Sequence, residues 1–455
     1  MPPFKVIIVG GGPAGLITGH CLTKAGIEFE ILEARASHDA NAGASNALWP
    51  QSVRVFDQLG LLEEAKKLYT EVNFKACVLA DGTMFYKSEA FARVEEQHGH
   101  PFMLFHRGEL LDMLDRRLPD RESHVHNNKR VAAIETSEHG VKVVCADGSA
   151  FEGSLVIGAD GVHSTVRQLM EEKSPQPPPE EAMSTTYIGL YGSCPRLPKT
   201  ESGTFYETHG PKFSLQLGVG HTRNFFVVYH RLEKTTKARH RFTDEEKEAL
   251  AVQYAETYIT PDYKFEDIWK TALWSHLAHI EEGLVDKWYG DRIVLLGDNV
   301  HKMTPNVGFG FNNAISSAAA LTNGLRRLIL EKTQAGDPAG IDTEALTRVF
   351  ADYEKIRKAE AKKYIEISAN YSRNVAWDNL LFRVIDRYIT PFVHLDVFLL
   401  KQLMSPQVRE GVVLDFLEEK DFKEGKVKWK HPRQKLASTS QDGDGDGKDD
   451  SEDSA

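Results

Sequence analysis

Residues 10–15 read Gly10-Gly11-Gly12-Pro13-Ala14-Gly15, and nothing else in the chain narrows its fold as much. Gly10, Gly12 and Gly15 fall at GxGxxG spacing. In that motif the first glycine permits a tight turn, the second lets backbone approach a pyrophosphate, and the third lets helix pack on strand. Alone the spacing is weak, but its setting is strong. Residues 4–9 form an apolar run of strand length, rich in Val and Ile, residues 13–24 have helical character, and residues 28–32 read as a second strand. That makes a βαβ unit of about 30 residues, the context the motif requires. The helix N-terminus then offers free N–H groups and partial positive charge to phosphates. Glu33 ends the second strand, placed to accept hydrogen bonds from both ribose hydroxyls. Its charge would repel a 2′-phosphate, which disfavours NADP at this cradle. The motif does not separate FAD from NAD. The competing reading is a Gly-rich turn with Glu33 as a solvated surface charge.

The rest of the chain surrounds this unit with a large globular protein. Its 455 residues are 41% hydrophobic and 27% charged, which excludes a disordered or fibrous chain. The net charge is −11, and the last fifteen residues carry much of it. No block of the body is strongly basic, so a nucleic-acid partner is not expected. Cys21, Cys77, Cys145 and Cys194 show no CxxC spacing, which argues against a zinc site or disulfide framework and suits a reducing compartment. Helical patterns recur at 52–67 and 108–118. Residues 130–144 alternate apolar and polar, with a turn at Asp147-Gly148 before a strand at 155–157. A Pro-rich loop at 175–179 leaves the first block. Residues 185–230 are rich in β-formers, 292–296 is another buried strand, and helix follows from about Asn312. Leu346, Val349, Phe350, Tyr353 and Ile356 keep helical spacing, so 343–377 reads as one long amphipathic helix.

Two further stretches carry chemistry. One reads Gly158-Ala159-Asp160-Gly161-Val162-His163-Ser164-Thr165-Val166-Arg167. The other runs Gly297-Asp298-Asn299-Val300-His301 through Pro305, Gly308, Phe309, Gly310 and Phe311 to Asn312-Asn313-Ala314. With the Gly-rich loop, these strongly resemble, in order and spacing, the three boxes of the single-component FAD-dependent monooxygenases. The resemblance covers roughly residues 4–330. It implies an α/β fold: a Rossmann-like, glutathione-reductase-like FAD-binding domain with an inserted β-sheet substrate domain and a helical C-terminal region. The expected division is 1–180 and 286–335 for the FAD-binding block, 181–285 for the substrate domain, 336–436 for the C-terminal region and 437–455 for a disordered acidic tail.

The resemblance assigns roles residue by residue. Asp298 would bind the ribityl hydroxyls of the flavin, while Gly308 and Gly310 would let backbone N–H groups approach its ring. Pro305 would rigidify the loop beside it. Arg107, at an R..LL helix start, would reach the phosphate or ribose side. Ala47, in the loop Gly43–Ala47, and Phe311 and Asn312 after the last glycine box would also contact the cofactor, as would Ala14 in the Gly-rich loop. No residue is placed as a covalent anchor, so FAD is expected to be held non-covalently. NADPH or NADH would visit transiently near Asp160, Ser164 and Arg167; the alternative is that these three only support FAD and helix packing. Two positions depart from the family pattern. Phe309 replaces a frequent Gln and is expected to alter the surface over the flavin. Ser316-Ser317 replaces an acidic pair and is expected to weaken a helix-packing contact.

The substrate class rests on the strand Tyr187-Ile188-Gly189-Leu190-Tyr191-Gly192-Ser193-Cys194. Aromatic hydroxylases of the family often carry an arginine there, and this strand has none. It looks instead like the fungal branch that epoxidises prenyl or polyprenyl alkenes in indole-diterpene and meroterpenoid pathways. The stretches 371–379 and 387–391 resemble that branch more loosely. A prenyl alkene needs no protein base for oxygen transfer, so no catalytic side chain is assigned. Tyr191 and Tyr206 are candidates for orienting a substrate. The partners implied are a small prenylated molecule and O2. Alternatives are an aromatic hydroxylase, a flavin-dependent polyprenyl reductase and a non-catalytic flavoprotein. The run Asp442–Gly447 resembles a calcium loop but has no helix pattern after it, so an acidic tail is expected, pairing with the basic run 420–435, and no metal site is assigned. Residues 380–400 are apolar but broken by Arg383, Asp386, Arg387, Pro391 and Asp396. The expectation is a cytoplasmic protein without a transmembrane segment, with peripheral contact to internal membranes through that region.

Overall fold

The computed structural model describes residues 4–37, 43, 45–173, 181–337 and 340–433. The Pro-rich loop at 175–179, Ala44 and the acidic tail lie outside them.

The opening βαβ unit forms as the pattern requires. Strands Lys5–Val9 and Glu28–Leu32 pair in parallel around helix Pro13–Ala25, which ends on Gly26 in the left-handed conformation. They belong to a six-stranded sheet. Its neighbours in order are Tyr289–Gly290, Ile293–Leu295, Leu155–Gly158, Lys5–Val9, Glu28–Leu32 and Val125–His126. Val6, Ile7 and Ile8 are fully buried, as expected of a parallel strand covered on both faces. The late strand Ile293–Leu295 pairs with Leu155–Gly158 and so returns the chain to the first block. Helix Gly310–Gln334 packs beside Pro13–Ala25. The helical pattern at 52–67 resolves into two helices, Pro50–Leu59 and Leu62–Leu68, because Gly60 adopts φ 77° and ends the first.

The second body is an eight-stranded sheet. Its central strands are Trp274–Leu284, Ser184–Pro195, Arg223–Thr236, Phe213–Val219 and Thr204–Gly210. Side chains alternate between its faces. Ile188, Leu190, Tyr206, Phe226 and Val228 pack under helices Asp244–Tyr254 and Phe265–Trp269, while Tyr187, Phe225, Val227 and Tyr229 face the other way. This body reaches beyond the expected 181–285. Strands Phe74–Leu79 and Met84–Ser88 complete its edge, Phe74–Leu79 running parallel to Thr204–Gly210. The N-terminal block therefore lends a hairpin to this sheet.

Helix Thr343–Val375 fastens the two bodies together. Tyr353 donates to the Leu295 carbonyl at 3.1 Å, and Ser372 donates to Asn306 Oδ1 at 2.6 Å. Leu346, Phe350 and Tyr353 are buried as the spacing predicts, but Ile356 is exposed. Arg357 takes the inward position instead, donating to Asn313 Oδ1 at 2.8 Å. Beyond Val408 the expected helical region ends. Residues 409–433 wrap back without helix over Pro50–Leu59, where buried Arg54 meets buried Glu419 at 2.6 Å. Within the basic run, Lys426 and Lys430 pair with Glu96 and Glu410.

Candidate functional site

The glycine loop serves two purposes. Gly10 has φ 110°, and a Cβ there would lie 2.5 Å from the Ala159 carbonyl oxygen; one on Gly15 would lie 1.9 Å from the Gly10 oxygen. Both glycines therefore let backbone pack on backbone. Gly12 differs: its φ is an ordinary −74°, and a Cβ would meet nothing within 4 Å. It opens onto a gap before the N-terminus of Pro13–Ala25, which no side chain caps. Glu33 lies at the edge of the same gap. Its carboxylate accepts from the Gly11 N–H at 2.7 Å and the Arg35 N–H at 2.9 Å. A carboxylate has about four acceptor positions, so capacity remains for a ribose hydroxyl.

The late glycine box closes the other side. Gly308 takes the left-handed conformation, φ 72°, pressed so near Ala47 that a Cβ would come within 2.7 Å of the Ala47 Cβ. Asn312 clasps this contact from behind. Its Nδ2 donates to the carbonyls of Ala47 at 2.9 Å and Gly308 at 2.7 Å, and its Oδ1 accepts from the Trp49 N–H at 2.8 Å. Gly310, like Gly12, faces open space. Asp298 forms an ion pair with Lys302, a cation the sequence reading did not single out. Burial opposes the Lys302 charge, but Asp298 more than offsets this and holds its pKa above the usual range. Arg107 lies within electrostatic reach of Arg35 and Asp298; burial first, then Arg35, draws its pKa down.

One continuous cavity of about 1350 Å³ joins these groups, larger than the roughly 300–1,000 Å³ of a typical single-ligand pocket. Gly10, Gly12, Ala14, Glu33, Ala47, Arg107, Asp160, Asp298, Pro305, Gly308, Gly310 and Phe311 all line it. Gly15 and Asn312 do not, and act through the loops they hold. The open slot at Gly12, the spare acceptors of Glu33, the cation Arg107 and the open backbone at Gly310 fit a molecule with a pyrophosphate, ribose and a flat ring.

Asp160, Ser164 and Arg167 hold their own chain. Asp160 accepts from Ser164 Oγ at 2.6 Å, the Thr165 N–H at 2.7 Å and Asn299 Nδ2 at 2.8 Å. Ser164 caps helix Thr165–Glu172. Arg167 donates to the carbonyls of Asn299 at 2.6 Å and Val162 at 2.9 Å. These bonds are what the packing alternative requires, and they tie the middle box to the late one. Phe309 does not cover the cavity: it is fully buried between Trp49 and Tyr364, with ring centroids at 4.9 and 4.6 Å. Ser317 still makes a contact, its hydroxyl lying 3.3 Å from both His301 Nε2 and Arg357 Nε.

The far end of the cavity belongs to the eight-stranded sheet. Tyr191, Phe205, Val227 and Tyr229 face it, whereas Tyr206 lies on the opposite face, its hydroxyl accepting from the Glu201 N–H. Arg196 is pinned to the Gly220 carbonyl, and Arg231 pairs with Asp378 at 2.5 Å. Neither lines the cavity. A polar network missed in the sequence does reach it. Lys75 donates to Tyr371 Oη at 3.0 Å and lies 3.4 Å from Glu207, which also accepts from Tyr371 at 2.5 Å and Gln216 at 2.7 Å. His209 bridges Glu207 at 3.1 Å and Asp386 at 2.7 Å. Gln216 also reaches the Asn306 carbonyl, beside Pro305.

Burial would raise the Glu207 carboxyl, but Lys75 and His209, with the Tyr371 hydroxyl donating, bring it down to about 2. Burial would likewise discharge His209, yet Asp386 holds it well above its usual value. Burial and then Glu207 keep Tyr371 protonated. A partial signal for this network was available: Glu207 and His209 stand two apart, on one face of the strand Thr204–Gly210.

Comparisons with known proteins agree with this geometry. Residues 3–365 match the family described as FAD binding domain. The chain is 34% identical over 399 residues to FAD-dependent monooxygenase ausM of Penicillium brasilianum, covering 86% of this chain and 83% of that one. It is 32% identical over 443 residues to FAD-dependent monooxygenase srdH of Neurospora crassa, covering 94% and 98%. Among solved structures, p-nitrophenol 4-monooxygenase PnpA of Pseudomonas putida matches with a TM-score of 0.72 at 18% identity, over 90% of this chain and 99% of that one. HpxO of Klebsiella pneumoniae, complexed with FAD and uric acid, matches with a TM-score of 0.71 at 20% identity, over 90% and 97%. With the cradle, the late glycine box and these relatives agreeing, the chain belongs to the FAD-binding family of flavin-dependent monooxygenases.

Proposed function

We propose that this enzyme oxygenates a prenyl or polyprenyl alkene of a natural-product intermediate, giving an epoxide. FAD, when bound, supplies the activation of O2, with electrons from NADPH or NADH. The carrying observation is the chemistry of the cavity's far end. Its walls are the aromatic face of the sheet and the apolar side chains of Leu395, Leu399, Leu400 and Met404, with the amides of Asn370 and Asn374 and the carboxyl groups of Asp386 and Asp396 beside them. The cation there, Lys75, is already matched by Glu207, and the protons of Tyr371 and Tyr229 are committed to Glu207 and Gln216. An ionised phenolate buried here would find no uncompensated positive charge, and burying it unpaired is costly. A neutral prenyl chain needs only the apolar slot.

The chain's own residues would then bind and exclude water rather than move protons. Gly12 and Glu33 would hold the adenosine side of the cofactor, Arg107 its phosphate or ribose side, and Asp298 and the Gly308–Gly310 backbone its flavin side. Tyr191 would orient the alkene against the ring. The names of the relatives, from fungi, support this branch, and the four free, buried cysteines suit a cytoplasmic setting. Incubation with NADPH, O2 and a panel of phenols and prenylated aromatics, read by mass spectrometry, tests the reading. An oxygenated prenyl product is expected. Ring hydroxylation of a simple phenol, with no product from any prenyl alkene, would replace it with the aromatic hydroxylase.

A further inference from the structure

Apolar residues on the outside of the protein are concentrated in one place. Among the described residues, fifteen large hydrophobic side chains are exposed, and ten of them lie in 380–403. Phe392 is 79% exposed, Leu380 74%, Leu381 65% and Phe398 57%. Folded monomers rarely leave contiguous apolar patches of more than a few hundred Å² uncovered. This segment is a string of short helices, Leu380–Val384, Thr390–Val393 and Leu395–Leu399, joined and extended by the π-turns Ile385–Ile389 and Leu400–Met404. No described helix is long and apolar enough to cross a membrane.

The charges are sorted with equal clarity. Every carboxylate of the segment is turned inward and anchors it. Asp386 accepts from Trp377 Nε1 at 2.8 Å and contacts His209; Asp396 accepts from Tyr86 at 2.8 Å and from Ser88. Arg383 and Lys401 are exposed, and half-buried Arg387 lies over the rings of Phe85 and Tyr388. A cationic, apolar face on a chain of net charge −11 is a local feature, not a general one. The inner side of the same segment lines the cavity through Phe382, Ile385, Leu395 and Leu400. It is thus a thin wall between the cavity and the exterior, apolar outside, and inside mixing these apolar side chains with Asp386, Thr390 and Asp396.

We propose that residues 380–404 seat the protein on an anionic lipid surface, lying in the interface without spanning it, and that the apolar substrate enters the cavity from that surface. Apolar side chains at the acyl boundary with flanking Lys and Arg at the headgroups are the general pattern of such contacts. A second copy of this chain fits less well, because a two-fold contact would set Arg383, Arg387 and Lys401 against themselves. The entry step rests on the prenyl substrate proposed above; the seating does not.

Flotation of the full chain with vesicles tests the seating without any substrate. The protein is expected to float with phosphatidylcholine–phosphatidylserine vesicles and much less with phosphatidylcholine alone. The triple variant Leu380→Asp/Phe392→Asp/Phe398→Asp changes only exposed residues outside the cavity lining, so it should keep its bound FAD. It is expected to lose flotation by at least about tenfold, given about 0.8 kcal/mol per buried methylene in such contacts. Arg383→Glu/Lys401→Glu should weaken binding to the mixed vesicles by about fivefold or more per cation, with the loss shrinking at high salt. Failure of the wild type to float, or equal flotation of the triple variant, would overturn the proposal. So would a wild-type dimer in sedimentation that the triple variant breaks, with no vesicle binding by either. Since flotation requires no turnover, a failed substrate assay leaves this result standing.

Discussion

The two glycines Gly12 and Gly15 separate cofactor binding from folding, and Gly12→Ala and Gly15→Ala should therefore behave in opposite ways. At Gly12 the backbone is extended, φ −74° and ψ −176°, which alanine adopts freely, and the new methyl would touch nothing within 4 Å. Two small effects nearly cancel in the flavin-free protein. Alanine lowers the entropy of the unfolded chain, worth about 0.4–1 kcal/mol, but is a poorer helix N-cap than glycine by a similar amount. Stability should hardly move. The methyl does, however, occupy the slot that a pyrophosphate must enter. Overfilling a fitted site costs about 1–3 kcal/mol, which is about 5- to 140-fold in Kd. At Gly15 the methyl would sit 1.9 Å from the Gly10 carbonyl oxygen, so strand and helix must separate. Thermal unfolding of the flavin-free proteins and titration with FAD, followed by flavin fluorescence, read both effects. Gly12→Ala should keep its melting temperature and lose affinity, while Gly15→Ala should lose soluble folded protein. Wild-type FAD affinity in Gly12→Ala, with an undisturbed Gly15→Ala, would refute the placement of the cradle.

Glu33→Ala and Asp298→Ala should each weaken FAD binding, by about 1.5–3 kcal/mol for every charge-assisted bond lost, as flavin titration would show. Glu33→Ala should have the additional effect of loosening the Gly11 backbone. Arg167→Met should lower the melting temperature while leaving the KM for NADPH nearly unchanged, because both guanidinium bonds go to carbonyls of this chain; the reverse pattern would return Arg167 to nicotinamide binding. The Glu207–His209–Asp386 network should make stability fall at both pH extremes. His209 is raised above 6.5, so its contribution is complete below that pH and is lost as pH rises through its folded value. Glu207 is lowered from 4.5 to about 2, so its contribution is present above pH 4.5 and is lost as pH falls toward 2. Melting curves across pH should show His209→Gln abolishing the alkaline decline and also reducing the acid one, because His209 helps to lower Glu207.

What could be read from the sequence was what is local in it. The glycine loop states its chemistry within six residues, and the strand 28–32 coincides with Glu28–Leu32 in the fold. The middle and late boxes both border the cavity, but several of their side chains bond within the chain. A motif records which residue types occur together, not which way they point. Asn312 and Phe309 illustrate this: three positions apart on one turn, both face inward, one clasping the strand Ser45–Leu48 at Ala47 and the other filling a gap beside Trp49. Helical periodicity likewise placed Ile356 in the core, because a hydrophobic pattern cannot show that Arg357 will find Asn313 there.

Lys75 was out of reach for a different reason, and it changes the argument about substrate. The absence of an arginine from the strand at 187–194 concerns one strand, whereas the wall of the cavity is a sheet of eight. Strand Phe74–Leu79 joins that sheet in parallel with Thr204–Gly210, across a separation no local pattern spans, and carries a lysine to the cavity. The strand at 187–194 lacks an arginine as read, but the cavity does not lack a cation. The proposal of a neutral prenyl substrate then rests on other grounds. The strand that Lys75 pairs with also supplies Glu207, buried completely, and the segment that closes the cavity supplies Asp386 against His209. Buried His209 and largely covered Lys75 meet the buried carboxyl groups of Glu207 and Asp386. Removing one member would leave its partner uncompensated, typically costing about 3–5 kcal/mol. A bound anion would have to compete with Glu207 for Lys75 under that penalty, and a neutral prenyl chain would not.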